Sequence, residues 1–330
     1  MASLKEIKGR IASVKSTLKI TSAMKLVASA KLRKAQMAIT NMLPYQRQLQ
    51  SILSRLMVTD PSDREPSVAG APSVPGRVHS RFALRQSSGL AAAEYGLGTE
   101  ATPAADAKVA IVAFSSNSSL CGAFNSNVIK KTLAAIDEYR SAGFSDENIV
   151  VYSVGRKMAE AMRKAGFPSP ADYSKMAESP GYEAAAALAQ ELIEGHFSGR
   201  FARVELVYNH FKSTSSQPTI RETYLAALDS DGPIDQQYSE IAGQVADDDI
   251  IIEPSRKAVL GVLIPKVQRL KIYTVLLDSN AAEHAARTVA MQTATDNGND
   301  LLEALTLEYN KGRQQKITSE ILDIVGGSLQ

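Results

Sequence analysis

The chain has 330 residues, 44% hydrophobic and 22% charged, with 37 basic against 35 acidic side chains and a net charge of +2. That balance fits one large or two ordinary globular domains and excludes a bulk polycation or a highly charged disordered chain. A lone cysteine, Cys121, excludes an intramolecular disulfide framework and a Cys-only metal site, and fits a reducing compartment.

The first segment is a heptad seam. Apolar or small residues recur at Leu4, Ile7, Ile11, Val14, Leu18, Thr21, Ala28, Leu32, Ala35, Ile39 and Met42, with Lys25 as the charged break. The spacing alternates three and four, which predicts a coiled coil. Pro44 weakens the helix and is expected to kink or end it. Leu4–Leu43 alone would be about 60 Å long, a rod that needs a partner helix. The opening MASLKEIKGR has no apolar h-region, so no secretory signal is expected, and the immediate helix leaves no room for a transit peptide.

Asp60–Ala105 carries five Pro and five Gly with no sustained period, and reads as a flexible insertion. The centre alternates strand and helix patterns. KVAIVAF (Lys108–Phe114), NIVVYSV (Asn148–Val154) and RVELVY (Arg203–Tyr208) are β-rich, and helical patterns lie at Asn125–Ser141, Arg156–Ala165 and Gly181–Gly195. This order predicts βαβ units and a mainly parallel sheet covered on both faces. Asp247–Asp249 reads as a solvated loop.

Ser255–Leu276 is helical and is expected to run into or beside the last segment, with Asp278-Ser279-Asn280 as a joint. From Ala281 to Ser328 there is no Pro, and Leu301, Leu302, Leu305, Ile317, Ile321 and Ile324 supply an apolar face. Local propensity places a break at Asn297-Gly298. Residues 1–48 hold ten basic and one acidic side chain, net +9, while residues 281–330 hold four basic and seven acidic, net −3. Opposite charge at opposite ends favours an antiparallel pair over independent bundle helices.

No catalytic constellation emerges. There is no P-loop, no G-x-S-x-G elbow and no paired His; His79, His196, His210 and His284 are scattered. Gly96–Ala101 (GLGTEA) precedes the first strand, where a dinucleotide fingerprint must follow one. The strand-to-helix loop Ser115–Asn125 could hold an anion on its backbone N–H groups, or could be a packing turn around Gly122 with Cys121 a buried thiol. The basic first helix fits either nucleic acid or an acidic protein surface.

The opening MASLKEIKGRIASVKSTLKITSAMKLVASAKLRKAQ, the loop SSLCGAFNSN and the ending EHAARTVAMQTATDNGNDLLEALTLEYNKGRQQKITSEILDIVGGS resemble the gamma subunit of bacterial-type F-type ATP synthases. The resemblance implies an α/β fold: a long antiparallel coiled coil of N- and C-terminal helices plus a Rossmann-like domain with a mainly parallel sheet. The expected divisions are 1–58 (first coiled-coil helix), 59–106 (insertion), 107–254 (α/β domain) and 255–330 (last helix). The last helix would then be continuous through Asn297-Gly298.

The resemblance also implies a noncatalytic rotor with no cofactor or metal of its own. It would turn inside a hexamer of alpha and beta subunits, with its foot on the epsilon subunit and the membrane c-subunit ring. Its place would be the cytoplasmic face of the bacterial plasma (inner) membrane, held there by partners. Arg313 and Gln314 match residues that hydrogen-bond an acidic beta loop, and Lys311 adds charge nearby. Met24 matches a position facing beta, with Lys25 beside it. Thr318 and Glu320 belong to the C-terminal signature and are expected to support helix packing. Asp323 is the one charge in the tip Ile321–Gln330, a candidate bearing in an apolar sleeve. Glu253, in IIIEP, aligns with a foot residue near the c ring. Gly312, Gly326 and Gly327 depart from the usual pattern and predict a softer tip, frayed near Gly326. The competing readings are an α/β nucleotide-dependent enzyme with helical extensions and a basic coiled-coil nucleic-acid binder.

Overall fold

The computed structural model describes residues 3–57, 108–226, 252–253 and 255–328. The 59–106 insertion, His79, Gly96–Ala101 and Asp247–Asp249 lie outside the described residues.

The terminal segments form two long helices, α1 (Leu4–Met57) and α6 (Arg256–Ser328). Their 54 and 73 residues correspond to about 80 and 110 Å of helix. They run antiparallel. Thr295 donates to Thr21 at 3.0 Å, Gly298 lies against Leu18 and Gly312 against Leu4. The two numbers in each of these pairs add to 316, so one register holds along that stretch. Every predicted seam residue of α1 is buried or half-buried, while Lys5, Lys8, Lys15, Lys19, Lys31, Arg33 and Lys34 are exposed. The seam therefore forms because the heptad keeps one apolar stripe toward the partner.

Several local expectations fail, for identifiable reasons. The helix α1 passes through Pro44 and reaches Met57, and α6 passes through Pro265. Near both prolines the helices pack Leu49, Leu53 and Leu56 against Leu260, Leu263, Val267 and Leu270, which offsets a lost backbone bond. The joint at Asp278-Ser279-Asn280 does not exist, because α6 is continuous there and Asp278 and Asn280 dock other parts of the chain. The break at Asn297-Gly298 is also absent, since Gly298 lets Leu18 approach. The helix α6 includes Gly326 and Gly327, so no fray is seen before Ser328.

Between the long helices lie β1 (Lys108–Phe114), α2 (Phe124–Ser141), β2 (Ile149–Val154), α3 (Arg156–Lys164), α4 (Ser174–Glu178), α5 (Tyr182–Phe197), β3 (Phe201–Asn209) and β4 (Thr219–Ala226). The sheet order is β2-β1-β3-β4. Strand β1 is parallel to both β2 and β3, and β4 pairs antiparallel with β3. The β4 strand and the short α4 are additions to the predicted set.

Strand β1 shows why the sheet is buried on both sides. Val109, Ile111 and Ala113 face a core with Val128 and Ile136 of α2 and Met158 and Met162 of α3. Ala110, Val112 and Phe114 face Leu188 and Leu192 of α5 together with Ile272, Val275 and Leu276 of α6. The two-residue period of a strand sorts the side chains. The shaft helix is thus one covering layer of the domain, whose core could not close without it.

Candidate functional site: shaft, free tip and joint

The helix α6 outlasts its partner. Leu4 faces Gly312, so Arg313–Ser328 extends about 24 Å past the start of α1 at Leu4. Along it Ile317, Ile321, Leu322, Ile324 and Val325 are exposed, Leu322 by 65% and Ile324 by 72%. A helix shows this much contiguous apolar surface where another body covers it. Leu305 is buried and Leu302 half-buried in the seam, whereas Leu301 is largely exposed, so the predicted apolar face divides between seam and tip.

Lys311, Arg313 and Gln314 are exposed at the base of this tip. The Thr318 hydroxyl donates to the Gln314 carbonyl at 2.9 Å, and Lys316 pairs with Glu320 at 3.6 Å. Both bonds run within α6, and both Thr318 and Glu320 are exposed. The Asp323 side chain lies outside the described residues.

Met24 and Lys25 are half-buried on α1. In the shared register they sit about 30 Å down the shaft from Arg313. Ile20 and Val27, exposed by 58% each, flank Met24 at spacings of four and three. This makes a second apolar face on α1, separate from the seam, which the sequence pattern hid behind the stronger heptad. Glu253 is exposed just before α6, at the opposite end from the tip. The structure therefore separates the candidate residues into three levels.

The loop Ser115–Asn125 turns inward. The Ser116 backbone N–H donates to Asn125 Oδ1 at 3.0 Å, and Asn125 Nδ2 donates to Ser116 Oγ at 2.9 Å. Asn209 Nδ2 donates to the Phe124 carbonyl at 3.1 Å. Cys121 is buried with Phe124 against Ala282, and Gly122, at φ +59°, lies beside Ala290. The packing-turn reading holds. The loop grips a cation, Arg287, in place of an anion: Nη1 donates to the Ser119 carbonyl at 2.6 Å and Nη2 to Ser118 Oγ at 2.9 Å.

Arg287 also pairs with Glu283 at 2.6 Å, and these residues are only 8% and 9% exposed. Burial pushes the Glu283 carboxyl upward, opposed by Arg287 and Lys31. Its neighbour His284 is pushed down to about 4 by burial, reinforced by Lys31 and Arg287. Below this pair, Asp278 accepts from the Phe211 N–H at 2.8 Å and contacts His210 Nδ1 at 2.6 Å. The i,i+4 spacing of Glu283 and Arg287 inside an alanine run was the available sequence signal for this joint.

The α/β-enzyme alternative needs an open crevice at the carboxyl ends of β1 and β3. Arg287 and Ala282 fill that place. The N-terminus of α3 is also occupied, because its Arg156 N–H donates to Asn117 Oδ1 and its Met158 N–H to Ser115 Oγ, both at 2.9 Å. Among the described residues no group of three His, Cys, Asp or Glu gathers as a metal site, and no helix is long and apolar enough to cross a membrane.

A family model described as ATP synthase matches residues 3–329. The chain is 49% identical over 332 residues to the ATP synthase gamma chain of Phocaeicola vulgatus, with 100% of both chains covered. It is 38% identical over 328 residues to that of Flavobacterium johnsoniae, covering 99% of this chain and 98% of the relative. A chain in the cryo-EM structure of the Euglena gracilis mitochondrial ATP synthase, OSCP/F1/c-ring in rotational state 3, is similar in fold. Its TM-score is 0.56 at 18% identity, covering 98% of this chain and 92% of that one. The rotor of the same enzyme in rotational state 1 gives 0.52 at 16% identity, covering 95% and 98%. The chain belongs to the ATP synthase gamma chain family.

Proposed function

We propose that this gamma chain turns as a shaft inside a hexamer of alpha and beta subunits and carries no catalytic site itself. The observation that carries the proposal is the free end of α6, a single helix with an exposed apolar surface standing beyond a two-helix rod. A sleeve of surrounding subunits would cover that tip. The hexamer's interior would meet the Ile20–Met24–Val27 face and the basic side chains of α1 lower down.

A lone asymmetric rod cannot meet three beta sites alike. Its angle would set a different nucleotide affinity at each, and the coupling must be reciprocal. Hydrolysis would turn the shaft, and forced turning would change affinity. Arg313 and Gln314 are assigned to an acidic beta loop, because an exposed planar guanidinium suits bidentate carboxylate contact, with Lys311 adding positive charge. Met24 and Lys25 are assigned to a second beta contact. Asp323 belongs to the bearing tip, with Thr318 and Glu320 shaping its base. Glu253 is assigned to the foot, facing the epsilon subunit and the c ring at the cytoplasmic side of the bacterial inner membrane.

The corresponding functional divisions are 1–58 and 255–330 for the shaft, 107–254 for the foot domain and 59–106 for an insertion of unassigned role. Mixing the chain with its cognate alpha and beta subunits and Mg-ATP tests the proposal. A three-to-three-to-one complex whose turnover requires this chain supports it. Turnover that ignores the chain, or a chain that stays alone, overturns it.

A further inference from the structure

Where β1 and β2 end against α6, a small cavity remains. Its walls include Phe114 and Leu276, and its polar lining is Ser115, Ser279, Asn280 and Glu283. The volume open to the centre of a water molecule is about 10 Å³. That is room for roughly one water. It is far too small for a nucleotide or another organic ligand.

Ser279 points to an occupant. All six threonines of α6, Thr274, Thr288, Thr293, Thr295, Thr306 and Thr318, donate their hydroxyls to the carbonyl four residues back. That is the ordinary local outlet for a hydroxyl inside a helix. Ser279 does not use it, and its hydroxyl has no hydrogen bond to any described residue. Yet Ser279 is only 5% exposed and lines the cavity. A hydroxyl so deeply buried calls for a partner, from protein or from ordered water.

The other polar groups of the lining are only partly spent. Arg287 takes Glu283 Oε1 at 2.6 Å and leaves the second carboxylate oxygen. Asn280 gives its Nδ2 to the Ala177 carbonyl at 3.3 Å and keeps its Oδ1. Ser115 Oγ already accepts the Met158 N–H at 2.9 Å.

We infer that this cavity is a binding site for a single water molecule, which accepts the Ser279 O–H and donates to the Glu283 oxygen that Arg287 leaves free. A buried water is held by two to four polar partners, and a polar hole of this size does not stay dry as an apolar one does. A monovalent cation is disfavoured by charge. Arg287 already pairs with the carboxylate, and Lys31 of α1 adds a second positive charge, so the ion would be a third. The water returns to Glu283 part of the hydration that burial removes, and so keeps the carboxylate charged for its pair with Arg287.

The test is a density map of the holoenzyme, at a resolution that shows ordered water, for the parent and for Ser279→Val. The parent is expected to show one peak about 2.6–3.2 Å from both Ser279 Oγ and a Glu283 carboxylate oxygen. In Ser279→Val, whose methyls fill the hole and offer no donor, the peak is expected to be lost while the surrounding backbone stays in place. An empty cavity in the parent, or a Ser279 hydroxyl turned back to the Val275 carbonyl, overturns the inference. So does a peak that grows when sodium salts are replaced by thallium(I), which marks a cation, and so does a peak that survives in Ser279→Val. The parent map alone decides the matter if that variant does not assemble.

Discussion

Gly298→Ala should destabilise the chain, although alanine is the better helix former. In an exposed helix the exchange gains about 1 kcal/mol. Here a Cβ at position 298 would stand 2.7 Å from Leu18 Cδ2 and 3.2 Å from its Cγ. Because the branch carbon is also too close, turning the terminal methyl does not clear the overlap, and the whole Leu18 side chain or the helix must shift. Overpacking of this kind costs about 1–3 kcal/mol. The net expectation is a loss of about 1 kcal/mol, from an overpacking cost near 2 less the propensity gain. In a Leu18→Ala background the obstruction is gone, and Gly298→Ala should instead gain about 1 kcal/mol. The two effects differ by about 2 kcal/mol, within the range for residues in contact. Urea unfolding of the four chains, followed by helical circular dichroism, reads the cycle. A stabilisation of the same size in both backgrounds would refute the claim that this glycine is kept for close approach. Gly312 provides the contrast, since its Cβ would crowd only the terminal methyl Leu4 Cδ2 at 3.1 Å, with Leu4 Cγ at an ordinary 3.9 Å. Gly312→Ala should therefore stabilise the chain, by up to about 1 kcal/mol.

Gly155 is at φ +103°, and a Cβ there would lie 2.2 Å from the Ser115 carbonyl oxygen. Gly155→Ala should cost about 3 kcal/mol or more, or prevent folding, and a melting temperature equal to the parent's would contradict this. His284 is held neutral in the fold down to about 4, against an ordinary 6.5 in the unfolded chain. Over that interval the unfolded state binds the proton and the folded state does not. Stability therefore falls as pH drops from 6.5 to 4, by about 3 kcal/mol from this group. Comparing His284→Gln with the parent across that range should remove that part of the slope, and identical pH profiles would exclude it. Arg313→Ala with Gln314→Ala should lower the turnover of the assembled complex about tenfold without moving the unfolding midpoint of the free chain, because both side chains are exposed. Unchanged turnover would remove them from the beta contact.

The strands were legible because β1, β2 and β3 are short apolar runs buried on both faces, and the shaft because its heptad repeats along α1. Four features were hidden, each where tertiary contact outweighs local propensity. Asp278, Ser279 and Asn280 read as a joint from their turn preference, yet Asp278 and Asn280 are polar docking groups on an unbroken helix. Asn297-Gly298 read as a turn because nothing local shows that Leu18 will pack there. Strand β4 escaped notice because its Arg221 and Glu222 interrupt the apolar pattern. Arg221 pairs across to Glu205 of the neighbouring strand at 2.7 Å and Glu222 to Lys271 of α6 at 2.9 Å, partners that a local pattern does not show. The Arg287 joint was missed for the same reason, since its loop partners lie about 170 residues away.

The most direct test of the shaft function is to watch it turn. The alpha–beta hexamer is fixed to a surface, a bead is attached to the foot domain at an exposed engineered cysteine, and Mg-ATP is added. A central shaft predicts sustained rotation in one direction, stepping once for each beta site and stopping when ATP is withdrawn. Hydrolysis that continues while the bead shows only random angular motion would contradict it.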